Sequence, residues 1–241
     1  MGGKLARLGF VLACVAVVLA VGAGLGNRFG FWGFRAGFEA LGWIVYVGAA
    51  AAVMSLVGAA LVWKESRGAA SLALIGLMLG AAVAWIPYQG QKALRAGPRL
   101  SDYTTDTVNP PAYVAALAAR KAAKARNTTD YSPKKAEIQA KTFPDLKPIL
   151  LAIPPDAAFD KALATIKAAG LEILAADKAA GRIEAVATTF WFGFKDDVVV
   201  RVMAAPGGSR VDIRSNSRVG GREAGTNPAR IRRLTAALTA K

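Results

Sequence analysis

Val198-Val199-Val200-Arg201-Val202-Met203-Ala204-Ala205-Pro206-Gly207-Gly208-Ser209-Arg210-Val211-Asp212-Ile213-Arg214-Ser215-Asn216-Ser217 is the stretch that decides the fold of the C-terminal half. Two runs rich in β-branched residues flank Pro-Gly-Gly-Ser, a hairpin signal. If residues 205 and 210 pair, Arg201 lies opposite Arg214 and Asp212 lies opposite Met203, all on one face. Val200, Val202 and Ala204 then share the other face with Val211 and Ile213. That face is apolar and should meet helices. Two arginines directly opposite are unfavourable unless an anion sits between them. Asp212, Asp196, Asp197 or Glu184 would supply that charge from within the domain. A bound carboxylate or phosphate would do so from outside, because paired guanidinium forks suit both. The internal network is the preferred reading.

Working outward, Leu171–Ala176 and Arg182–Phe190 read as two further strands joined at Asp177–Gly181, and Leu146–Ile153 as a short one. Pro154-Pro155-Asp156 opens a helix with Phe159, Leu163 and Ile166 on one face, and Gly170 should close it as a left-handed cap. Asn227-Pro228 opens the last helix, cap then first-turn proline, which should bury Ile231, Leu234 and Leu238. Ala112–Arg126 is alanine-rich with basic residues toward its end, a helix by propensity. Asn127–Pro144 reads as loop. The expected class is α+β: three N-terminal transmembrane helices, then an antiparallel sheet with helices packed on one face.

The N-terminal part has a different composition. Leu8–Leu25, Ala40–Trp63 and Ala69–Ile86 carry no charge, and each is long enough to cross a bilayer about 30 Å thick. Phe31, Trp32, Phe34, Phe38, Trp43, Trp63, Trp85 and Tyr88 bracket them as an aromatic belt. The lipid bilayer is therefore an expected partner. Residues 1–90 are assigned to a membrane anchor, 91–111 to a linker and 112–241 to a soluble domain. With Lys4 and Arg7 inside, three crossings place that domain outside the cytoplasm, in a periplasm if the membrane is a bacterial inner membrane. An alternative signal-peptidase site at Val21-Gly22-Ala23 would lead to the same side. Gly76 and Gly80 form a small-xxx-small pair suited to helix–helix association.

Composition excludes much chemistry. The 241 residues include no histidine and one cysteine, and the net charge is +15. There is no Ser-His-Asp triad, no histidine metal ligand and no phosphate-cradling glycine loop. No metal site, cofactor or catalytic residue is assigned. Asp196-Asp197 reads as strand-edge charge, since adjacent strand residues point to opposite faces. The only cysteine, Cys14, lies in the first apolar run. Of the charge, +4 belongs to residues 1–90 and +11 to the rest. No basic stripe is interleaved with aromatics, which argues against nucleic acid.

Two clusters are richer in polar residues than a small fold requires. One is Asp102-Tyr103-Thr104-Thr105-Asp106 with Asn109-Pro110-Pro111. The other runs from Phe192-Gly193-Phe194-Lys195-Asp196-Asp197 through Arg201, then Asp212-Ile213-Arg214-Ser215-Asn216-Ser217-Arg218-Val219-Gly220, to Asn227-Pro228-Ala229-Arg230-Ile231. In this order they resemble the family named only as domain of unknown function 1499, over roughly residues 100–240. The resemblance implies an α+β domain, often tethered to a membrane, and implies no activity. Its signature falls here on Asp106, Pro110, Pro111, Asp196, Asp197, Arg201, Asp212, Arg214, Ser215, Ser217, Arg218, Gly220, Asn227 and Arg230. Arg222-Glu223 departs from the acidic-apolar pair expected of relatives at that loop.

These observations leave two main readings. The first is a membrane-tethered domain binding an anionic ligand or an envelope protein through Arg201, Arg214, Arg218 and Arg230, with Asp212, Ser215, Ser217 and Asn227 beside them. The alternative is a purely structural scaffold whose signature is an internal Arg–Asp network. A hydrolase using Asp106, Asp196 and Ser215 or Ser217 ranks behind both.

Overall fold

The computed structural model describes residues 2–222 and 224–240, so Glu223 of the departing pair lies outside the described residues. The chain divides into two compact units. One comprises the chain through Arg95 together with Phe190–Gly193; the other comprises Ala96–Thr189 and residues from Phe194 onward.

The first unit contains α1 (Gly2–Arg28), α2 (Phe34–Val62) and α3 (Arg67–Ala96). All three are long and apolar enough to cross a membrane. Most large side chains, among them Val18, Tyr46, Met78 and Trp85, point outward, whereas the buried residues are chiefly Ala and Gly. That inversion of the water-soluble pattern is expected where lipid is the solvent and backbones approach closely. At Gly80 an added Cβ would stand 2.8 Å from the Ala52 amide nitrogen, and at Gly76 it would stand 2.5 Å from Ser55 Oγ. The small-xxx-small pair is thus filled from within the chain, by α2 at both positions and at Gly76 also by the Phe10 backbone of α1.

The second unit is an antiparallel sheet flanked by helices. Its strands are β1 (Asp102–Thr104), β2 (Ile149–Leu151), β3 (Glu172–Asp177), β4 (Arg182–Thr188), β5 (Lys195–Ala205) and β6 (Gly208–Ser217). The order is β1-β6-β5-β4-β3, and β2 also pairs with β6. The outer edge of β6 is therefore split: β1 takes Arg214–Asn216 and β2 takes Ser209–Val211. Thr105 bridges the gap, its N–H donating to Ile213 O at 2.9 Å while its hydroxyl accepts from the Ile213 N–H at 2.9 Å.

The remaining helices are α4 (Ala115–Ala122), α5 (Pro133–Thr142), α6 (Pro155–Ala168) and α7 (Thr226–Thr239). The latter two pack on the apolar sheet face. Phe159, Ala162 and Ile166 of α6 and Ile231, Leu234 and Leu238 of α7 join Ile183, Val198, Val200, Val202, Val211 and Ile213 in one core. Gly170 closes α6 with φ +72°, the left-handed cap expected there. On the opposite sheet face Tyr113, Ala116 and Val199 form a small apolar cluster with Leu174 packed against it. That face is covered by α4 and by irregular chain.

Several boundaries differ from expectation. The segment read as linker is helical to Ala96 and then forms β1. The helix expected over Ala112–Arg126 is the shorter α4, because its start is set by a tertiary contact described below. The segment read as loop contains α5, whose Ser132 cap accepts from the Lys135 N–H and whose Pro133 occupies the first turn.

The hairpin register is also corrected. Ala205 pairs with Gly208, so the turn is Pro206-Gly207 alone, with Gly207 at φ +78°. Proline followed by a residue of positive φ suits a tight two-residue turn. Arg201 therefore faces Asp212 rather than Arg214, and Met203 faces Arg210 rather than Asp212. The shift is two residues, so the faces are unchanged, and the apolar face is the one expected.

Candidate functional site

The polar signature occupies the second sheet face and the approach to α7. Asp197, near the start of β5, is fully buried and receives two guanidinium groups. Arg120 Nη1 donates to its Oδ2 at 2.6 Å, and Arg218 reaches it through Nε at 3.0 Å and Nη2 at 2.6 Å. Asp102 of β1 takes a two-pronged bond from Arg214, at 2.9 and 2.8 Å, and a third from Lys135 at 3.1 Å. The Arg214 guanidinium lies between two rings, 4.9 Å from the centre of Tyr113 and 5.5 Å from that of Tyr131. Burial opposes its charge, but the hydrogen bond and attraction of Asp102 outweigh burial and hold it above the usual arginine value. Burial raises both tyrosine hydroxyls well above their usual range; Asp102 adds to the effect and Arg214 opposes it.

A third cluster forms beside the split edge. Asp212 Oδ2 accepts from Arg201 at 2.8 Å and Asp212 Oδ1 from Arg210 at 3.0 Å. Asp106 Oδ2 accepts from the same two arginines, at 3.0 and 2.6 Å. The other oxygen of Asp106 caps the turn after it, accepting from the Val108 and Asn109 N–H groups. Two carboxylates and two arginines thus close a neutral ring. It lies at the side of a cleft of about 550 Å³ that Thr105–Asn109, Phe143, Lys147 and Met203 also line.

The fourth cluster ties α7 to the sheet from the core side. Arg230 donates to Asp196 Oδ2 at 2.7 Å, to Ser215 Oγ at 2.9 Å and to Asn227 Oδ1 at 2.6 Å. Ser215 Oγ donates to Asn227 Oδ1 at 2.6 Å, and Asn227 Nδ2 donates to Ser217 Oγ at 2.9 Å. Asp196 and Asp197 are therefore not strand-edge charge. They sit inside the sheet, each facing its own cationic partner on its own side.

The guanidinium groups do more than neutralise carboxylates. Spare donors bind carbonyls of the irregular covering segment: Arg201 to Asn109, Arg214 to Pro111 and Thr129, and Arg120 to Asn127. Asn127 Nδ2 adds bonds to Ser217 O and Gly220 O, both at 2.8 Å, and Asn216 Nδ2 holds Thr128 O at 3.0 Å. Glu184 of β4 does the converse for α4. Its carboxylate is 1% exposed and accepts from the N–H groups of Val114, Ala115 and Ala116, within 3.0 Å. These are unsatisfied donors of a helix start, where a carboxylate is favoured twice over, by hydrogen bonding and by the helix dipole. This contact fixes where α4 begins.

Every residue singled out from the sequence falls within this system except Pro110, to which no such contact attaches. Pro111 supplies its carbonyl and Gly220 its carbonyl at φ +87°. The residues suggested for hydrolysis are not brought together: Asp106 lies with Arg201 and Arg210 on one sheet face, whereas Asp196 and Ser215 lie with Arg230 on the other. Sequence reading missed Arg120, Arg210, Asn127, Asn216 and Lys135 as partners. Arg120 and Lys135 stand in Lys-rich helical stretches that resemble ordinary solvated faces. The Ser132-Pro133 cap was the available signal for α5, and hence for the position of Lys135.

A small α+β domain with one apolar and one ionic sheet face, preceded by three apolar helices that fit a membrane anchor, is the class these features define. The family model described as Protein of unknown function (DUF1499) matches residues 102–238, more than half of the chain, and the chain belongs to that family. No curated protein and no solved structure is matched.

Proposed function

We infer that the domain is a membrane-tethered, extracytoplasmic scaffold, and that its polar signature serves the fold rather than a reaction. The observation that carries this reading is the internal pairing of Asp102, Asp106, Asp196, Asp197 and Asp212, each with at least one arginine at 3.1 Å or less. Groups committed to buried ion pairs and loop carbonyls are costly to free for chemistry. Four of these carboxylates impose one conformation on the sheet face opposite the main core, and Asp196 ties α7 to the core side.

A second reading is favoured by the cleft at the split edge of β6. There Arg210 is 32% exposed, and Lys147 makes no ion pair among the described residues. A small carboxylate or phosphate would find two cations at that rim. Melting curves of the full-length protein in detergent separate the readings. The scaffold reading expects a lower melting temperature for Arg214→Ala and Asp197→Asn and no rise with phosphate, citrate or nucleotide. A rise with one of these, lost in Lys147→Ala at unchanged intrinsic stability, would replace it with the second. A reporter fused after the last residue tests the side of the membrane: cytoplasmic activity would overturn the extracytoplasmic placement.

A further inference from the structure

The helical unit includes four residues from far along the chain, Phe190-Trp191-Phe192-Gly193. They form the tip between β4 and β5, closed at its neck by two Thr189–Phe194 hydrogen bonds. Within the helical unit the tip is seated by specific contacts. The Trp191 indole N–H donates to Val21 O at 3.1 Å. The Phe192 ring stacks on Phe38 at 4.9 Å with an interplanar angle of 13°. Two helix side chains hold its backbone: Asn27 Nδ2 donates to Phe192 O, and Arg28 Nη1 to Phe190 O, both at 2.6 Å.

The seat depends on missing side chains. A Cβ at Gly24 of α1 would collide with the Trp191 indole, and one at Gly37 of α2 would stand 2.9 Å from the Phe192 ring. Gly24 lies nearly one turn from Val21, so the same face of α1 offers both the carbonyl and the room for the indole. Val21 in turn lies two turns before Arg28, about 10 Å along the helix. That depth matches the boundary between headgroups and hydrocarbon in a span ending at Arg28. Phe190 is 86% exposed, and Phe29 and Phe31, which follow Arg28 in the chain, are 66% and 78% exposed. The Arg28 guanidinium lies 5.8 Å from the Phe190 ring centre. Three exposed phenylalanines, one with an arginine over its ring, would be unfavourable in water and are ordinary at a bilayer interface.

We propose that Phe190–Gly193 is a lipid-interface element of the anchor, held by the Gly24–Gly37 seat, with Phe190 beside Arg28 in the headgroup layer. The occupant of the exposed aromatic patch is the bilayer, because the patch continues the apolar surface of helices that themselves fit a membrane. The seat explains Gly24, and at Gly37 it adds to the close approach of the Ala23 carbonyl, 2.6 Å from an added Cβ; it also explains why the tip is built from aromatic residues rather than turn-forming polar ones.

The test uses the full chain in phosphatidylcholine–phosphatidylglycerol vesicles, with Cys14→Ser removing the native thiol. A polarity-sensitive fluorophore is placed at Phe190→Cys, and in a parallel protein at the exposed residue Glu172→Cys. The expected result is a blue shift at position 190, strong quenching by a nitroxide on the lipid headgroup and weak quenching by aqueous iodide, with the reverse at position 172. A label at 190 as open to iodide as the label at 172 overturns the proposal. Trp191→Ala, added to the 190-labelled protein, is expected to reduce nitroxide quenching at an unaltered melting temperature. Undiminished quenching in that variant overturns the role of the seat.

Discussion

Arg201 and Asp212 face each other directly across the β5–β6 ladder, with Arg201 Nη2 donating to Asp212 Oδ2 at 2.8 Å and the aspartate fully buried. The hairpin therefore needs no outside anion. A turn two residues shorter than expected puts Asp212, and not Arg214, opposite Arg201, and Asp106 and Arg210 complete the ring.

Removing one member of that ring should be costly. Asp212→Asn keeps the shape but leaves Arg201 and Arg210 sharing Asp106 alone, and we expect a loss of about 2–4 kcal/mol in denaturant unfolding. The double variant Arg201→Met with Asp212→Leu should recover part of that loss, since two apolar groups replace two charges together. A double variant less stable than Asp212→Asn would show that the ring contributes more than mutual neutralisation.

Glu184→Gln should loosen α4 without unfolding the sheet. The amide has one acceptor oxygen for the N–H groups of Val114, Ala115 and Ala116 and no charge to set against the helix dipole. We expect about 1–2 kcal/mol of lost stability and faster amide exchange confined to residues near Val114–Ala122. Uniformly faster exchange across β4 and β5 would contradict a local role.

Arg214→Lys tests geometry at constant charge. Lysine cannot reproduce the fork onto Asp102 while also reaching Pro111 O and Thr129 O. It also loses the planar stack between Tyr113 and Tyr131. A lowered melting temperature nearly as large as that of Arg214→Ala is expected; near-wild-type stability would mean that charge alone suffices.

Alkaline pH should destabilise the domain through its tyrosines. The folded chain holds the protons of Tyr113 and Tyr131 above the ordinary range, mainly through burial. Below about pH 10, the unfolded tyrosine value, both states keep these protons and their contribution is complete. Above it the unfolded chain ionises first, so stability falls as pH rises toward the folded values. Tyrosinate absorbance should accordingly lag until unfolding, and Tyr113→Phe with Tyr131→Phe should flatten the stability slope above pH 10. An equally steep slope in the double variant would assign alkaline loss to other groups.

Local patterns carried much of the architecture. Uncharged runs marked α1 to α3, because crossing a bilayer depends on length and composition alone. The Pro155 start and Gly170 cap of α6 bracket one continuous stretch of chain, as Asn227, Pro228 and the buried Ile231, Leu234 and Leu238 of α7 occupy another. The apolar side of β5 and β6 was legible even from the wrong register, since a two-residue slip returns every side chain to its own face. Helix α5 was legible in principle through Ser132-Pro133, although its Lys-rich sequence resembled loop.

By itself, then, the sequence determined three apolar helices, a mainly antiparallel domain behind them, and which residues are polar beyond the needs of solubility. Only the tertiary structure decided what those residues do. Whether Arg201 meets Arg214 or Asp212 depends on one turn residue count, and whether Arg120 meets Asp197 depends on a helix whose start is set by Glu184, nearly seventy residues away. Ion pairing falls off over a few ångströms, so it is governed by register and long-range packing, which no local pattern records.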